Sequence, residues 1–424
     1  MILKVLPSEV SGKVYIPGSK SHTIRSMFFS GLADGKSVIK NPLMSSDSVS
    51  AVNLCKAFGA AYELEGNCYT VNGIGGNPQV PENVIDVGNS GTSLRLGLMT
   101  AALVSGYTVF TGDYQIRRRQ IGPLVKAINN LGGEAYTTRG NESAPVVVKG
   151  RAKGGFTTLD AVTSQYLSSI LLNAPLLEND THIEVTRLNE VPYVEITLWW
   201  LDKFGIKYKH NNMKEFFIPG GQKYSQFECT IPGDFSSATF FMVLAAISGQ
   251  EFELTNLDIT DPQGDKLVLS ILEDMGAKVT YNSDSIIVKG QKLTGRTIDM
   301  NSIPDALPAM AVAGCFAQGE TRLVNVPQAR LKETDRINVM CRELTKMGAD
   351  IEELPDGLII RESSLKGCRV SGHDDHRVVM SLAIAGLNAK GETEIDTAEA
   401  MNITFPNFVE CLTNCGGTLS VCED

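Results

Sequence analysis

Hydrophobic and polar positions along this chain form two patterns, and each returns six times. In the first, an amphipathic helical stretch runs into a hydrophobic residue followed by glycine. The pairs are Phe58-Gly59, Leu131-Gly132, Phe204-Gly205, Met275-Gly276, Met347-Gly348 and Cys415-Gly416, with glycine spacings of 73, 73, 71, 72 and 68 residues. Glycine there reads as a helix C-terminal cap, because a residue without Cβ enters the left-handed region without a clash. Short alternating runs follow, as at 277–281, then a polar turn at Asn282-Ser283-Asp284 and Ile286-Ile287-Val288, which predicts a β-hairpin.

In the second pattern a helix of small and apolar residues meets a glycine and then a strand, at 27–38, 94–110, 166–185, 240–254, 309–324 and 378–395. Asn179-Asp180 replaces the glycine in the third copy. Such a helix has no polar face and is expected to be buried on most sides. Because both patterns keep phase, the unit is helix, strand, amphipathic helix and hairpin, repeated six times. The period far exceeds that of a short solenoid and predicts an α/β fold with sheets outside or between buried helices.

The residues expected just before the buried helices are Ser21, Thr92, Ser164, Ser236, Asp305 and His376, spaced 71, 72, 72, 69 and 71. Most are good N-cap types. If the units pack as two pseudo-threefold sets, these N-termini converge on one cleft and give it a positive field. Ile231-Pro232-Gly233-Asp234 opens the fourth unit and reads as a crossing between halves.

Length and charge narrow the function. A chain of 424 residues predicts more than one domain, and 43% hydrophobic with 20% charged residues describes a soluble globular protein. The net charge of −10 argues against broad attraction to nucleic acid or to an anionic membrane. Any anion site must be a local cluster of cations. Nine scattered cysteines without a Cys-x-x-Cys pair read as reduced cytosolic thiols. The first twenty residues carry no apolar leader, so neither export nor a transit peptide is expected. No His-Glu-x-x-His or Cys/His ligand set is present, and no metal is expected.

Candidate chemistry lies where cations meet helix starts. Gly18-Ser19-Lys20-Ser21 leads toward Arg25, and Asp86-Val87-Gly88-Asn89-Ser90-Gly91-Thr92 leads toward Arg95; each is either an anion site or a capped surface helix. Of Arg117-Arg118-Arg119, at most one or two are expected to point inward. Thr163-Ser164-Gln165 supplies hydroxyls suited to phosphate oxygens or to simple capping, and Tyr193 is either a wall for a ring or a core residue. Helical spacing sets Lys332 and Arg336 on one face with Glu333 beside them, and Asp375-His376-Arg377 runs directly into a buried helix.

Together these residues resemble the 5-enolpyruvylshikimate-3-phosphate synthase family, the 3-phosphoshikimate 1-carboxyvinyltransferases, over essentially the whole chain. The resemblance rests on Pro17 to Ser21 with Arg25, Gly88 to Thr92 with Arg95, Arg119 before Ile121-Gly122-Pro123, Ser164-Gln165, Pro192-Tyr193, Asp305, Lys332 to Arg336 and Asp375 to Arg377. It implies a two-domain inside-out α/β barrel of six βαβαββ repeats, three per domain, with the active site in the interdomain cleft. The implied domains are 17–231 and 1–16 plus 232–424. The implied reaction moves the enolpyruvyl group of phosphoenolpyruvate to the 5-hydroxyl of shikimate 3-phosphate and releases phosphate. By resemblance Asp305 is the base, with Lys20 and Glu333 the other proton-transfer groups. Shikimate 3-phosphate would be held by Lys20, Ser21, Arg25, Thr163, Ser164, Gln165, Tyr193, Asp305, Gln328 and Lys332. Phosphoenolpyruvate would be held by Lys20, Gly91, Arg119, Gln165, Arg336 and Arg377. The resemblance further implies a cytoplasmic monomer that uses no cofactor and no metal.

Three positions depart from the family's pattern. Glu190 stands where many members have a serine on the substrate phosphate, Ile403 where many have a lysine, and Gln328 where asparagine is frequent. A carboxylate facing the phosphate would repel it, so Glu190 is expected to turn away or to pair with a cation. The sister transferases acting on UDP-N-acetylglucosamine commonly carry a cysteine in the loop that corresponds to 112–120, and none occurs here between Cys68 and Cys229.

Overall fold

The computed structural model describes residues 1–423. Six helix pairs follow one another along the chain: α1 and α2 (Lys20–Leu32, Ser46–Ala57), α3 and α4 (Gly91–Ala101, Gly122–Asn130), α5 and α6 (Ser164–Asn173, Val191–Lys203), α7 and α8 (Phe235–Ser248, Leu267–Met275), α9 and α10 (Leu307–Phe316, Arg336–Lys346), α11 and α12 (His376–Leu387, Phe408–Asn414). The first of each pair is the apolar one. All twelve residues of α11 and twelve of the fourteen in α7 are buried, so these helices have no solvent face. In α10 the buried positions Arg336, Ile337, Met340 and Leu344 fall on one side, as amphipathic spacing requires. The six cap glycines Gly59, Gly132, Gly205, Gly276, Gly348 and Gly416 all have φ between +64° and +119°, which explains why glycine marks each helix end.

The strands form six four-stranded sheets with one plan. In the fifth, Thr297–Asp299 runs parallel to Glu320–Val324, which pairs antiparallel with Gly357–Arg361, itself antiparallel to Asp350–Leu354. The parallel pair needs a crossover, and α9 supplies it; the antiparallel pair needs only a tight turn. Burial alternates along strands such as Glu320–Val324, so one face of the sheet packs inward and the other meets water.

Three sheets recruit strands from far along the chain. Gly12–Tyr15 precedes α1 but pairs in parallel with Glu251–Thr255, the strand after α7. Reciprocally, Glu228–Thr230 precedes α7 but pairs with Lys36–Lys40, the strand after α1. The sixth unit lacks the second strand of its hairpin. That place is taken by Ile2–Leu6, which lies between Thr393–Ile395 and Thr418–Cys422. The sequence pattern predicted six complete hairpins, and the last is completed by the other end of the chain because a lone strand would leave its ladder unpaired.

The chain divides into two compact units, one of Met1–Ser19 with everything from Pro232 onward, the other Lys20–Ile231. We call them the split unit and the inserted unit. Each has its own hydrophobic core. In the split unit α7, α9 and α11 pack on one another. In the inserted unit α3 packs on α5, and Phe29 of α1 lies against Trp200, Phe204 and Tyr224 with ring centroids 5.6, 5.1 and 5.0 Å away.

The helix starts differ from expectation by one or two residues. The caps are Ser90 for α3, Thr163 for α5, Asp234 for α7 and Asp375 for α11, each accepting a backbone N–H from two or three residues ahead. Ser21, Thr92, Ser164, Ser236 and His376 therefore lie inside the first turn, and Asp305 lies in the 3₁₀ turn Pro304–Ala306 that leads into α9. A cap side chain folds back onto its own helix; a first-turn side chain projects from the end and is available for other partners.

Because Leu3 is fully buried in the strand that closes the sixth sheet, Leu3→Ala should destabilise the protein by about 3 kcal/mol. Urea unfolding followed by circular dichroism measures this, and a loss below about 1 kcal/mol would mean that the N-terminal strand is not integral to the core.

Candidate active site

In the inserted unit the N-terminal turns of two helices, α3 and α5, carry polar side chains that meet. Arg95 of α3 donates to Gln165 Oε1 of α5 at 2.6 Å, and Gln165 Nε2 donates to Thr92 Oγ1 at 3.0 Å. Arg119, at the end of the 3₁₀ turn Ile116–Arg118, reaches back to the same place: a Cβ added to Gly91 would collide with Arg119 Nη1 and lie 3.0 Å from Arg95 Nη1. Gly91 is thus glycine because two guanidinium groups lie against its α-carbon. Arg117 and Arg118 are exposed while Arg119 is half-buried, as the sequence led one to expect. Lys20, the first residue of α1, lies 3.4 Å from Asp47 Oδ2 in the first turn of α2.

Arg25 has a different setting. It is 1% exposed and donates to Thr197 Oγ1 at 2.8 Å, Tyr193 O at 2.9 Å, Ser21 O at 3.1 Å and Ser168 Oγ at 3.3 Å. Three of those bonds tie α1 to α5 and α6, and the one to Ser21 stays within α1. Burial lowers its pKa to about 10, which leaves it charged at neutral pH.

Glu190 does not turn away from the hydroxyl pair. Its Oε2 accepts from Ser164 Oγ at 2.8 Å, Thr163 Oγ1 at 3.1 Å and Ser164 N at 3.2 Å, and the residue is 1% exposed. Its backbone is left-handed, with φ 60° and ψ 43°, just before Pro192 in the first turn of α6. Tyr193 is partly buried against the core of the inserted unit.

In the split unit the same kind of convergence is built from opposite charges. Arg336, the first residue of α10, donates to Asp375 Oδ2 at 2.8 Å, Asp305 Oδ1 at 2.9 Å and Glu333 Oε2 at 2.7 Å. Asp305 also lies 3.0 Å from Arg377 Nη2 and 3.7 Å from Lys332 Nζ. Burial works to lower the pKa of Arg336, but Asp375, Glu333 and Asp305 outweigh it and hold the guanidinium firmly protonated. Asp375 is fully buried; that burial is overcome by Arg336, and its pKa lies below the usual carboxylate value. Ser236 Oγ of α7 donates to Asp265 Oδ2 at 2.5 Å. Burial, and then the charge of Asp305, raises the Asp265 pKa.

One expectation for this region changes. Lys332 and Arg336 do not share a helix face, because Pro327–Leu331 is a 3₁₀ turn, Lys332 is extended and α10 starts only at Arg336 behind its cap Asp335. They meet at Asp305 all the same. Ile403 packs partly buried against the core of the split unit. Gln328 is buried, donates to Asn301 O at 3.0 Å, and its Oε1 has no hydrogen-bond partner among the described residues. Asp265 and Asp47 were not picked out from sequence. Asp375 was, within the charged run Asp375-His376-Arg377 before a buried helix, but with no role of its own.

A family model described as EPSP synthase (3-phosphoshikimate 1-carboxyvinyltransferase) matches residues 6–412. The chain belongs to that family. The 3-phosphoshikimate 1-carboxyvinyltransferase of Ruminiclostridium cellulolyticum is 76% identical over 99% of this chain and 100% of its own. That of Acetivibrio thermocellus is 68% identical over 100% of both. Among solved structures, an EPSP synthase from Acinetobacter baumannii superposes with a TM-score of 0.84 at 29% identity, covering 100% of each chain. The α/β architecture of the family is therefore that of this chain. Among the described residues no helix is long and apolar enough to cross a membrane, and no group of three or more His, Cys, Asp or Glu side chains is arranged to hold a metal ion.

Asp375 both pairs with Arg336 and caps α11, so Asp375→Ala should lower stability at neutral pH by about 3 to 5 kcal/mol. Its folded pKa is depressed, so this stabilisation is complete above the ordinary carboxylate value and is lost as pH falls through the lower folded value. Denaturant titrations of both proteins at neutral and acid pH should therefore show the gap closing on acidification; a gap independent of pH would remove the ion pair as its source.

Proposed function

We propose that this protein transfers the enolpyruvyl group of phosphoenolpyruvate to the 5-hydroxyl of shikimate 3-phosphate with release of phosphate. The observation that carries the reading is the setting of Asp305, whose carboxylate lies among Arg336, Arg377 and Lys332 in a chain of this family. The attacking hydroxyl must give up a proton as its oxygen bonds to C2, while C3 of phosphoenolpyruvate gains one. The tetrahedral intermediate then loses that C3 proton as the C2–O bond to phosphate breaks. Groups that accept and return protons are needed at both centres. Asp305 takes the hydroxyl proton, and Lys20 and Glu333 serve the other transfers.

The binding roles follow the charges. Ser21, Ser164 and Gln165 of the first turns and the cap Thr163 offer donors to shikimate 3-phosphate, with Arg25, Tyr193, Asp305, Gln328 and Lys332 completing its contacts. The unsatisfied Oε1 of buried Gln328 supports that assignment, since a buried acceptor without a partner is costly unless a ligand supplies the donor. Lys20, Gly91, Arg119, Gln165, Arg336 and Arg377 hold phosphoenolpyruvate, whose carboxylate and phosphate suit the paired N–H groups of guanidinium. The closeness of Arg119 to Gly91 supports this. The two compact units are read as the two domains, 17–231 and 1–16 with 232–424, and the protein as a cytoplasmic monomer. Nine free cysteines suit a reducing compartment.

A phosphate-release assay should show turnover with phosphoenolpyruvate plus shikimate 3-phosphate and none with UDP-N-acetylglucosamine as acceptor. Lys20→Ala and Asp305→Ala should each lower kcat by about a thousandfold. Near-normal turnover in either variant would remove the role assigned to that residue. Gly91→Ala should raise the KM for phosphoenolpyruvate by about tenfold or more, because the new methyl group displaces Arg119. An unchanged KM would separate Arg119 from that substrate.

A further inference from the structure

The groups assigned above to the substrate phosphate already hold an anionic oxygen. A single oxygen of Glu190 collects the backbone N–H and hydroxyl of Ser164 and the hydroxyl of Thr163, at the N-terminus of α5 where the helix field favours negative charge. One phosphate oxygen would accept the same bonds. From this we infer that Glu190 is an internal competitor of the substrate phosphate: its carboxylate fills the cradle in the free protein and must be displaced when shikimate 3-phosphate binds. The inference rests on the functional reading above, which supplies the identity of the phosphate ligand.

Two features fit displacement by rotation of one side chain rather than by opening of a loop. The backbone around Glu190 is pinned: Asn189 donates from its N–H to Ala161 O and from Nδ2 to Val162 O, and Glu190 O accepts from Tyr193 N. Glu190 itself occupies the left-handed region, which a residue with a long side chain adopts only when surrounding contacts hold it there. The backbone bonds just named are such contacts and do not involve Oε2, so the side chain can give up its three bonds to a ligand while the backbone stays in place. A ligand that presents only a hydroxyl at this place offers the donors less than the carboxylate does and leaves Glu190 where it is. A phosphate dianion offers more charge and more acceptor oxygens. Glu190 therefore lowers affinity for the phosphorylated ligand alone.

The test is calorimetric titration of full-length wild-type protein, Glu190→Ser and Glu190→Gln with shikimate 3-phosphate and, separately, with shikimate. Glu190→Ser should bind shikimate 3-phosphate about tenfold more tightly than wild type, with a smaller gain of about threefold in Glu190→Gln, which keeps the shape but not the charge. Affinity for shikimate should stay within about twofold in both. A gain confined to the phosphorylated ligand in either variant supports the inference, so one misfolded variant does not spoil the experiment. No gain in any folded variant, or an equal gain for both ligands, overturns it. If wild-type protein neither binds shikimate 3-phosphate nor releases phosphate from the two substrates, the functional reading falls and takes this inference with it; turnover in wild type with no gain in the variants rejects the inference alone.

Discussion

A guanidinium that has lost nearly all contact with water must have its N–H donors met by acceptors within the protein, and at Arg336 the split unit meets them with three carboxylates. Its side chain is 1% exposed and is met by Asp305, Glu333 and Asp375. Removing charge from water is expensive, so such a group persists only where geometry returns the cost through several well-aligned bonds. Each partner comes from a different structural device: Asp305 from the 3₁₀ turn before α9, Glu333 from the bend before α10, Asp375 from the cap of α11. The ion cluster can form only if all these helix starts are in register. Local capping and long-range charge pairing are thereby the same constraint.

This explains what the sequence disclosed and what it withheld about the fold. The period was legible because each unit repeats the same burial problem: an apolar helix with no solvent face, an amphipathic helix and a glycine with positive φ at its end. Strand partnership was less legible. Nothing in Ile2–Leu6 shows that it pairs with Thr418–Cys422, and nothing in Glu228–Thr230 shows that it joins Lys36–Lys40, because hydrophobic alternation says which face is buried and not which neighbour completes the ladder. The helix starts were misplaced by a residue or two for a related reason: Ser164 and Thr163 are both good caps, and only backbone conformation decides between them.

For the site, residue type foretold charge and not pairing. The arginine run was legible as having at most one or two inward members, and only the family resemblance singled out Arg119; its approach to Gly91 depends on packing between distant turns. Arg25 was singled out as an anion-binding group, and the structure adds that its donors also tie α1 to α5 and α6. Glu190 was legible as an anomaly, a carboxylate beside hydroxyls meant for phosphate. That it lies on those hydroxyls follows from its left-handed backbone and the geometry of Asn189, neither of which the sequence encodes locally.

The two units solve the same geometric problem with opposite electrostatics. The positions at their helix starts follow one repeating pattern, but Ser21, Thr92 and Ser164 of the inserted unit all carry hydroxyls, while the split unit has Ser236, Asp305 and His376 there. The bonds of Arg25 and Arg95 include ones to hydroxyl, carbonyl and amide oxygens. Those of Arg336 and Arg377 include ones to carboxylates. Neutral oxygens satisfy a guanidinium's donors without adding negative charge, whereas carboxylates both satisfy the donors and attract the charge. Within the inserted unit the field of a helix N-terminus accounts for Glu190: where the hydroxyl and backbone donors at the start of α5 gather, a carboxylate from the chain itself is drawn in.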